Sequence, residues 1–137
     1  MTTDIPKVSP CASAADAARV MAADEQSQGY VLVFAEGSPV GIVTEVDLVT
    51  KVLATGTTRR VLVTEIMSSP LIAIDLDEDL MRASTLMTTH HVRHLPVMRN
   101  AYLYGVLTEN DVATKLQNYV DRCMRDLVLW TTPVTFA

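Results

Sequence analysis

An eleven-residue phrase occurs twice in this chain of 137 residues: GIVTEVDLVTK at Gly41–Lys51 and GVLTENDVATK at Gly105–Lys115, 64 positions apart. Gly, Thr, Glu, Asp, Thr and Lys recur in register. The letters between them are mostly apolar for apolar: Ile42 for Val106, Val43 for Leu107, Leu48 for Val112. An internal repeat constrains the fold strongly, because each copy is one supersecondary unit that buries its apolar face against a neighbour. The length suits one compact domain, or two half-size units sharing a core.

More of each copy emerges on reading outward. SAADAARVM (Ser13–Met21) opens on a Ser cap and places Ala14, Ala17, Ala18 and Met21 on one helical face. Its counterpart is DEDLMRASTLM (Asp77–Met87), with Asp79 as cap and Leu80, Ala83, Leu86 and Met87 as the apolar stripe. Tyr30–Thr44 holds two β-branched runs joined by EGSP, a hairpin signal, and His94–Thr108 repeats it with RNA at the turn. Helices follow over Glu45–Ala54 and from Glu109 onward, and short strands precede each unit near Lys7–Val8 and Leu71–Ile74. The order is strand, helix, strand, strand, helix, written twice, which predicts an α+β fold. Thr55–Arg60, TGTTRR, reads as the linker, so the copies span 5–54 and 61–117. Residues 118–137 form a C-terminal amphipathic helix and tail, with Val120, Cys123, Met124, Leu127 and Trp130 on a common side. That stripe packs on its own domain or serves as a dimer contact.

Composition narrows the function classes. An apolar fraction of 49% and a charged fraction of 20% describe a globular chain. The net charge of −5 argues against a general electrostatic grip on nucleic acid or acidic lipid. No apolar run approaches the roughly 20 residues that cross a bilayer. The only cysteines are Cys11 and Cys123, without a CxxC and without a secretory signal. The expectation is a soluble, cytoplasmic protein with no nucleic-acid or membrane partner. Gly-x-Ser-x-Gly, a Walker-type loop and His-Glu-x-x-His are all missing, so no enzyme is expected.

Two motifs carry chemistry. Thr44–x–x–Asp47 and Thr108–x–x–Asp111 stand where a strand passes into a helix. Read structurally, each is a capping box, worth about 1 kcal/mol. The cluster HHVRH holds all three histidines, His90, His91 and His94, around Arg93. It lacks neighbouring cysteine, and its residues approach a strand where neighbours point opposite ways, so no metal site is expected. Arg offers a planar fork suited to phosphate oxygens, and a negatively charged protein needs such a local cation to hold an anion.

GIVTEVDL and GVLTENDV, together with EIMSSPLIAIDLDEDLMRASTLM and VRHLPV, resemble the tandem cystathionine-β-synthase domain, the CBS pair or Bateman module. The resemblance covers nearly the whole chain. It implies two pseudo-symmetric β-α-β-β-α repeats packed sheet to sheet, leaving two clefts of a kind that commonly bind adenine nucleotides or adenosyl compounds. By that resemblance Asp111 and Asp47 take the ribose hydroxyls. Thr108, Arg93, His94 and Thr44 hold phosphate, and Pro70, Leu71, Ile72 and Pro96 form the adenine pocket, with Pro10 and Cys11 as first-copy counterparts. The first copy departs: opposite Arg93 and His94 stand Gly29 and Tyr30, and its helix-to-strand connection is longer and carries Asp24 and Glu25. One competent site centred on Asp111 is therefore expected beside one degenerate site, where Tyr30 is available to stack on a base. The function implied is a stand-alone sensor. It needs no cofactor, takes an adenine nucleotide (AMP first among them) as regulatory ligand, associates as a homodimer and signals to an effector protein. The alternatives are a ligand-free interaction scaffold and a binder of S-adenosylmethionine or a related adenosyl compound.

Overall fold

The computed structural model describes residues 5–23, 29–69 and 71–131, with side chains through Arg125. Each copy builds a three-stranded sheet. In the first, β1 (Lys7–Val8) lies parallel to β2 (Tyr30–Ala35), which pairs antiparallel with β3 (Ser38–Thr44). In the second, β4 (Ile74–Asp75), β5 (His94–Arg99) and β6 (Tyr102–Thr108) repeat the arrangement. The registers correspond residue for residue: Tyr30 opposes Thr44 as His94 opposes Thr108, and both ladders slip at the same point, after Val33 and after Val97. The first hairpin turns through Glu36 and Gly37 at φ of 54° and 78°. That is the mirror-image turn whose twist suits a two-residue hairpin.

Strand alternation sorts the apolar side chains into three cores. Val31, Val33 and Val43 point to α1 (Ala14–Ala23) and pack with Ala14, Ala17 and Met21. Leu95, Val97 and Leu107 meet Ala83 and Met87 of α4 (Leu80–His90) and Val112 of α5 (Glu109–Thr131). The intervening residues Tyr30, Leu32, Ile42 and Val106 point the other way, forming a third core between the two sheets with Ile5, Phe34, Leu71 and Leu103. Because both faces of β2 are buried, its run is apolar throughout rather than alternating, and each buried Val or Leu contributes about 1.5–3 kcal/mol. The α+β fold of two repeats packed sheet to sheet is as the sequence implied.

Three local features differ from the sequence reading. The second short strand begins at Ile74 rather than Leu71. In the first copy Leu32 N–H donates to Pro6 O at 3.0 Å, whereas the equivalent Pro96 has no N–H and cannot extend the ladder. The helix after the first phrase is α2 (Glu45–Leu48) followed by a π turn over Val49–Leu53, closed by Ala54 N–H on Val49 O at 2.8 Å. The second copy continues at this point as regular α5. A four-residue helix, α3 (Val63–Ile66), was not foreseen; Glu65 accepts from Leu62 N–H at 2.8 Å to cap it.

That helix belongs to a segment that completes the first repeat. Val61, Val63 and Ile66 are buried in the first core. Ala14 N–H donates to Val61 O at 2.7 Å and Val63 N–H to Ala12 O at 2.9 Å, while Ser68 and Ile42 exchange backbone bonds. Gly41 makes room for it, since a Cβ there would lie 2.9 Å from Met67 Cγ and 3.2 Å from its Cβ.

Candidate ligand site at the strand ends

Both repeated Thr–x–x–Asp motifs form the reciprocal cap. Thr108 N–H donates to Asp111 Oδ2 at 3.0 Å and Asp111 N–H to Thr108 Oγ1 at 3.1 Å. Thr44 N–H and Oγ1–H donate to Asp47 Oδ2 at 2.9 and 3.2 Å, and Asp47 N–H returns to Thr44 Oγ1 at 3.3 Å. Each helix is further tied to its hairpin, because Glu45 N–H donates to Gly29 O and Glu109 N–H to Arg93 O, both at 2.9 Å. Two of the first three N–H groups of α5 are thus already bonded. An anion at this helix end relies on side chains as well as on the dipole.

The two carboxylates differ in company. Burial pushes the Asp111 acid upward, but the bonds from Thr108 N–H and hydroxyl and the positive charge of Lys115 outweigh it and hold the group below its ordinary value. Asp111 is therefore an ionised acceptor at neutral pH, the state that takes hydroxyl donors. Asp47 is buried, and its second oxygen meets the Lys51 ammonium at 2.9 Å. Lys51 Nζ also donates to Ile66 O at 2.9 Å. The sequence reading passed over this lysine, although the (i, i+4) spacing of Asp47 and Lys51 inside the repeated phrase signals a pair.

The cations at the start of β5 part company. His94 shares its face with Pro96 and looks toward the first repeat, where its ring centroid lies 4.7 Å from that of Tyr30. Arg93 looks toward its own helices and stands 3.8 Å from Glu109. It lines a groove of about 530 Å³ between α4 and α5 with Ser84, Thr88 and His91 at the rim and Met87 and Val112 beneath. Neither Asp111 nor Thr108 lines that groove. His91 caps α4 in the left-handed conformation, at φ 54°.

On the other side, Leu71 packs into the core between the sheets and Ile72 against the second core, while Pro96 is fully buried. Pro70 lies outside the described residues, as do Asp24 and Glu25 and the side chains of Leu127 and Trp130. The inter-repeat side thus gathers His94, Pro96 and Leu71 beside the Thr108 strand end, and Arg93 stands on the opposite face. Pro10 and Cys11 are not the first-copy counterparts of Pro70 and Leu71. Val8 opposes Val33 as Ile74 opposes Val97, which sets Ile5 and Pro6 opposite Leu71 and Ile72. Pro10 and Cys11 fall in the turn into α1, where Cys11 N–H donates to Ser9 Oγ. Among the described residues no group of three or more His, Cys, Asp or Glu side chains is gathered for a metal ion, and no helix is long and apolar enough to cross a membrane.

Comparison with known proteins matches this architecture. The CBS domain family model fits the chain twice, over residues 1–54 and 63–118. The CBS domain-containing protein YhcV of Bacillus subtilis is 31% identical over 113 residues, covering 82% of this chain and 79% of YhcV. An uncharacterized Methanopyrus kandleri protein is 37% identical over 84 residues, covering 60% of this chain and 43% of that protein. The crystal structure of the CBS-domain containing protein ATU1752 from Agrobacterium tumefaciens has a TM-score of 0.74 at 29% identity, covering 82% of this chain and 90% of that one. CBSX2, crystallised in complex with AMP, has a TM-score of 0.70 at 23% identity, over 87% of this chain and 93% of its own, a likeness of fold alone. With two matched copies, two sheets packed face to face and a capped Asp at the same place in each, the chain belongs to the CBS domain family, as a tandem pair forming a regulatory module.

Proposed function

We propose that this pair is a ligand sensor that takes an adenine nucleotide, AMP first among the candidates, at the second-copy strand end. The Asp111 carboxylate accepts the ribose hydroxyls. Thr108, His94 and the N-terminus of α5 face the phosphate, and Leu71 with the underlying Pro96 forms the apolar wall for the base, Ile72 lying against the second core instead. One observation carries this reading: equivalent residues of the two copies, Tyr30 and His94, touch at 4.7 Å where both capped helices begin. A ligand seated beside that contact touches both repeats at once and favours one relative tilt over another. It does so only through differential affinity, and shifting a two-state balance from 1:99 to 99:1 takes about 5.5 kcal/mol. The AMP held by CBSX2 supports the choice of ligand class. Arg93 supplies further charge when it leaves Glu109. That exchange costs little, since the pair is long and its side chains are 79% and 68% exposed.

The output passes to a partner through the exposed apolar residues Val46, Val49 and Leu53 beside α2 and Tyr119, Val120 and Met124 on α5. A homodimer uses the same helices. These faces also favour the second reading, a ligand-free scaffold. Titration calorimetry with AMP, ATP and S-adenosylmethionine, on the wild type and on Asp111→Ala, tests both. AMP binding lost in the variant supports the sensor. Absence of heat with every ligand leaves the scaffold, and binding of S-adenosylmethionine alone replaces the nucleotide by an adenosyl cation.

A further inference from the structure

The repeated phrase places a lysine four residues after each of its acids, Lys51 after Asp47 and Lys115 after Asp111, yet the two lysines do different things. Among the described residues Lys115 makes no ion pair with Asp111, whereas the equivalent pair forms in the first copy. Lys51 sits 2.9 Å from Asp47 Oδ1 and, at the same distance, donates to the carbonyl of Ile66. Asp47 Oδ2 is meanwhile taken by Thr44 N–H and Oγ1–H. Both oxygens of the first-copy acid are therefore engaged from within the chain. A vicinal diol needs two acceptor positions on one carboxylate, and the three donors leave open only one of its four lone-pair sites, so both hydroxyls are accepted at Asp47 only when the ammonium withdraws.

Ile66 makes the second contact informative. It ends α3, in the connection between the repeats, and the next residues hold that connection down: Met67 N–H donates to Val63 O at 2.8 Å and Ser68 N–H to Ile42 O at 2.9 Å. The π turn spanning Val49–Leu53 carries Lys51 and has no counterpart in α5. Such single-turn departures from α geometry concentrate at functional positions.

We propose that Lys51 is a specificity-determining latch. It closes the first-copy cleft to ribose-type diols and fastens the α3 connection to the Asp47 carboxylate, so that ligand entry at Asp47 and loosening of that connection are one event. The diol half of this rests on the nucleotide reading of the site; the fastening half does not.

The test compares full-length wild type, Lys51→Met and Lys51→Arg. Amide hydrogen exchange without ligand reads the fastening. Met67 and Ser68 are expected to exchange about tenfold faster in Lys51→Met and to return toward wild type in Lys51→Arg, with the Val97 and Leu107 amides unchanged as a control for folding. Unchanged exchange at Met67 and Ser68 overturns the latch whatever binds elsewhere. Adenosine, a diol without phosphate, then probes the cleft by backbone chemical shifts. The expected result is a second set of perturbed signals, around Thr44–Leu48, that appears only in Lys51→Met. Perturbation confined to Thr108–Val112 in all three proteins overturns the gating of Asp47. Silence at both sites, even in the methionine variant, overturns the gating; AMP titrated into the same three proteins decides the nucleotide reading separately, and the exchange result still decides whether Lys51 fastens the connection.

Discussion

The ring of Tyr30 in the first repeat lies 4.7 Å from the imidazole of His94 in the second, tilted by 41°. The two residues are equivalents: each opens the central strand of its sheet and each opposes the Thr that caps the following helix. Contact between equivalent positions places them beside the axis that relates the copies. Tyr30 is almost fully buried, and replacing a buried aromatic by alanine costs about 3–5 kcal/mol. Tyr30→Ala is expected to lower the unfolding free energy by that amount, shifting the urea midpoint by the loss divided by the slope, while Tyr30→Phe loses far less. Parallel denaturation curves of the three proteins, with unchanged slope, check it.

The Asp111 cap carries a pH signature. Its acid is depressed in the folded chain below the ordinary 3.8, so its contribution to stability is present above pH 3.8 and lost as pH falls through the folded value. Asp111→Asn keeps an acceptor for Thr108 N–H and removes only the charge. The stability gap between wild type and this variant is expected to stay constant from pH 7 to 5 and to close below pH 3.8. Urea midpoints across that range measure it.

The proposed part of Arg93, reached only when it swings off Glu109, is to hold phosphate and not sugar. A charge-assisted bond to an ionised group contributes about 1.5–3 kcal/mol, so Arg93→Ala is expected to weaken AMP by roughly ten- to a hundredfold. Adenosine affinity stays where it was. Stability should move by no more than about 0.5 kcal/mol, because the pair with Glu109 is solvent-exposed. Calorimetric titration with both ligands and one thermal melt settle the matter; equal losses for AMP and adenosine would remove Arg93 from the phosphate.

Gly41→Ala tests the seat of the connection. The added Cβ meets Met67 along its whole stem, which overpacks the site and costs about 1–3 kcal/mol. Pairing it with Met67→Ala opens space for the methyl, so the double variant should show less than the summed loss of the single ones. A double-mutant cycle in denaturant reads the difference.

What the sequence made legible was whatever local chemistry and periodicity dictate alone. The repeat, both hairpins, the Ser13 and Asp79 caps and the two Thr–Asp boxes are short-range patterns, and each formed. The parting of Arg93 and His94 follows from strand alternation, yet the cluster reads on paper as one basic patch. Lys51 was within reach by its spacing from Asp47, but its bond to Ile66 joins segments that only the folded chain brings together. The π turn leaves no trace in residue type, and α3 is too short to show a period. Cys11 reads on paper as the counterpart of Leu71 because VSPCA and SSPLIAI both stand at the opening of a copy. The pairing of β1 with β2, a long-range fact, assigns that place to Ile5 instead.

The stretch from Val61 to Ser68 follows the exposed turn at Gly56 but gives its apolar side chains to the body before that turn. Excising the leading half at residue 60 would strip Val61, Val63 and Ile66 from its interior and leave an insoluble stump. A nick at Gly56 severs no buried contact, so the two pieces should remain clasped and reassemble when expressed separately. That makes the turn at Gly56 a place to divide the molecule into a complementing split reporter.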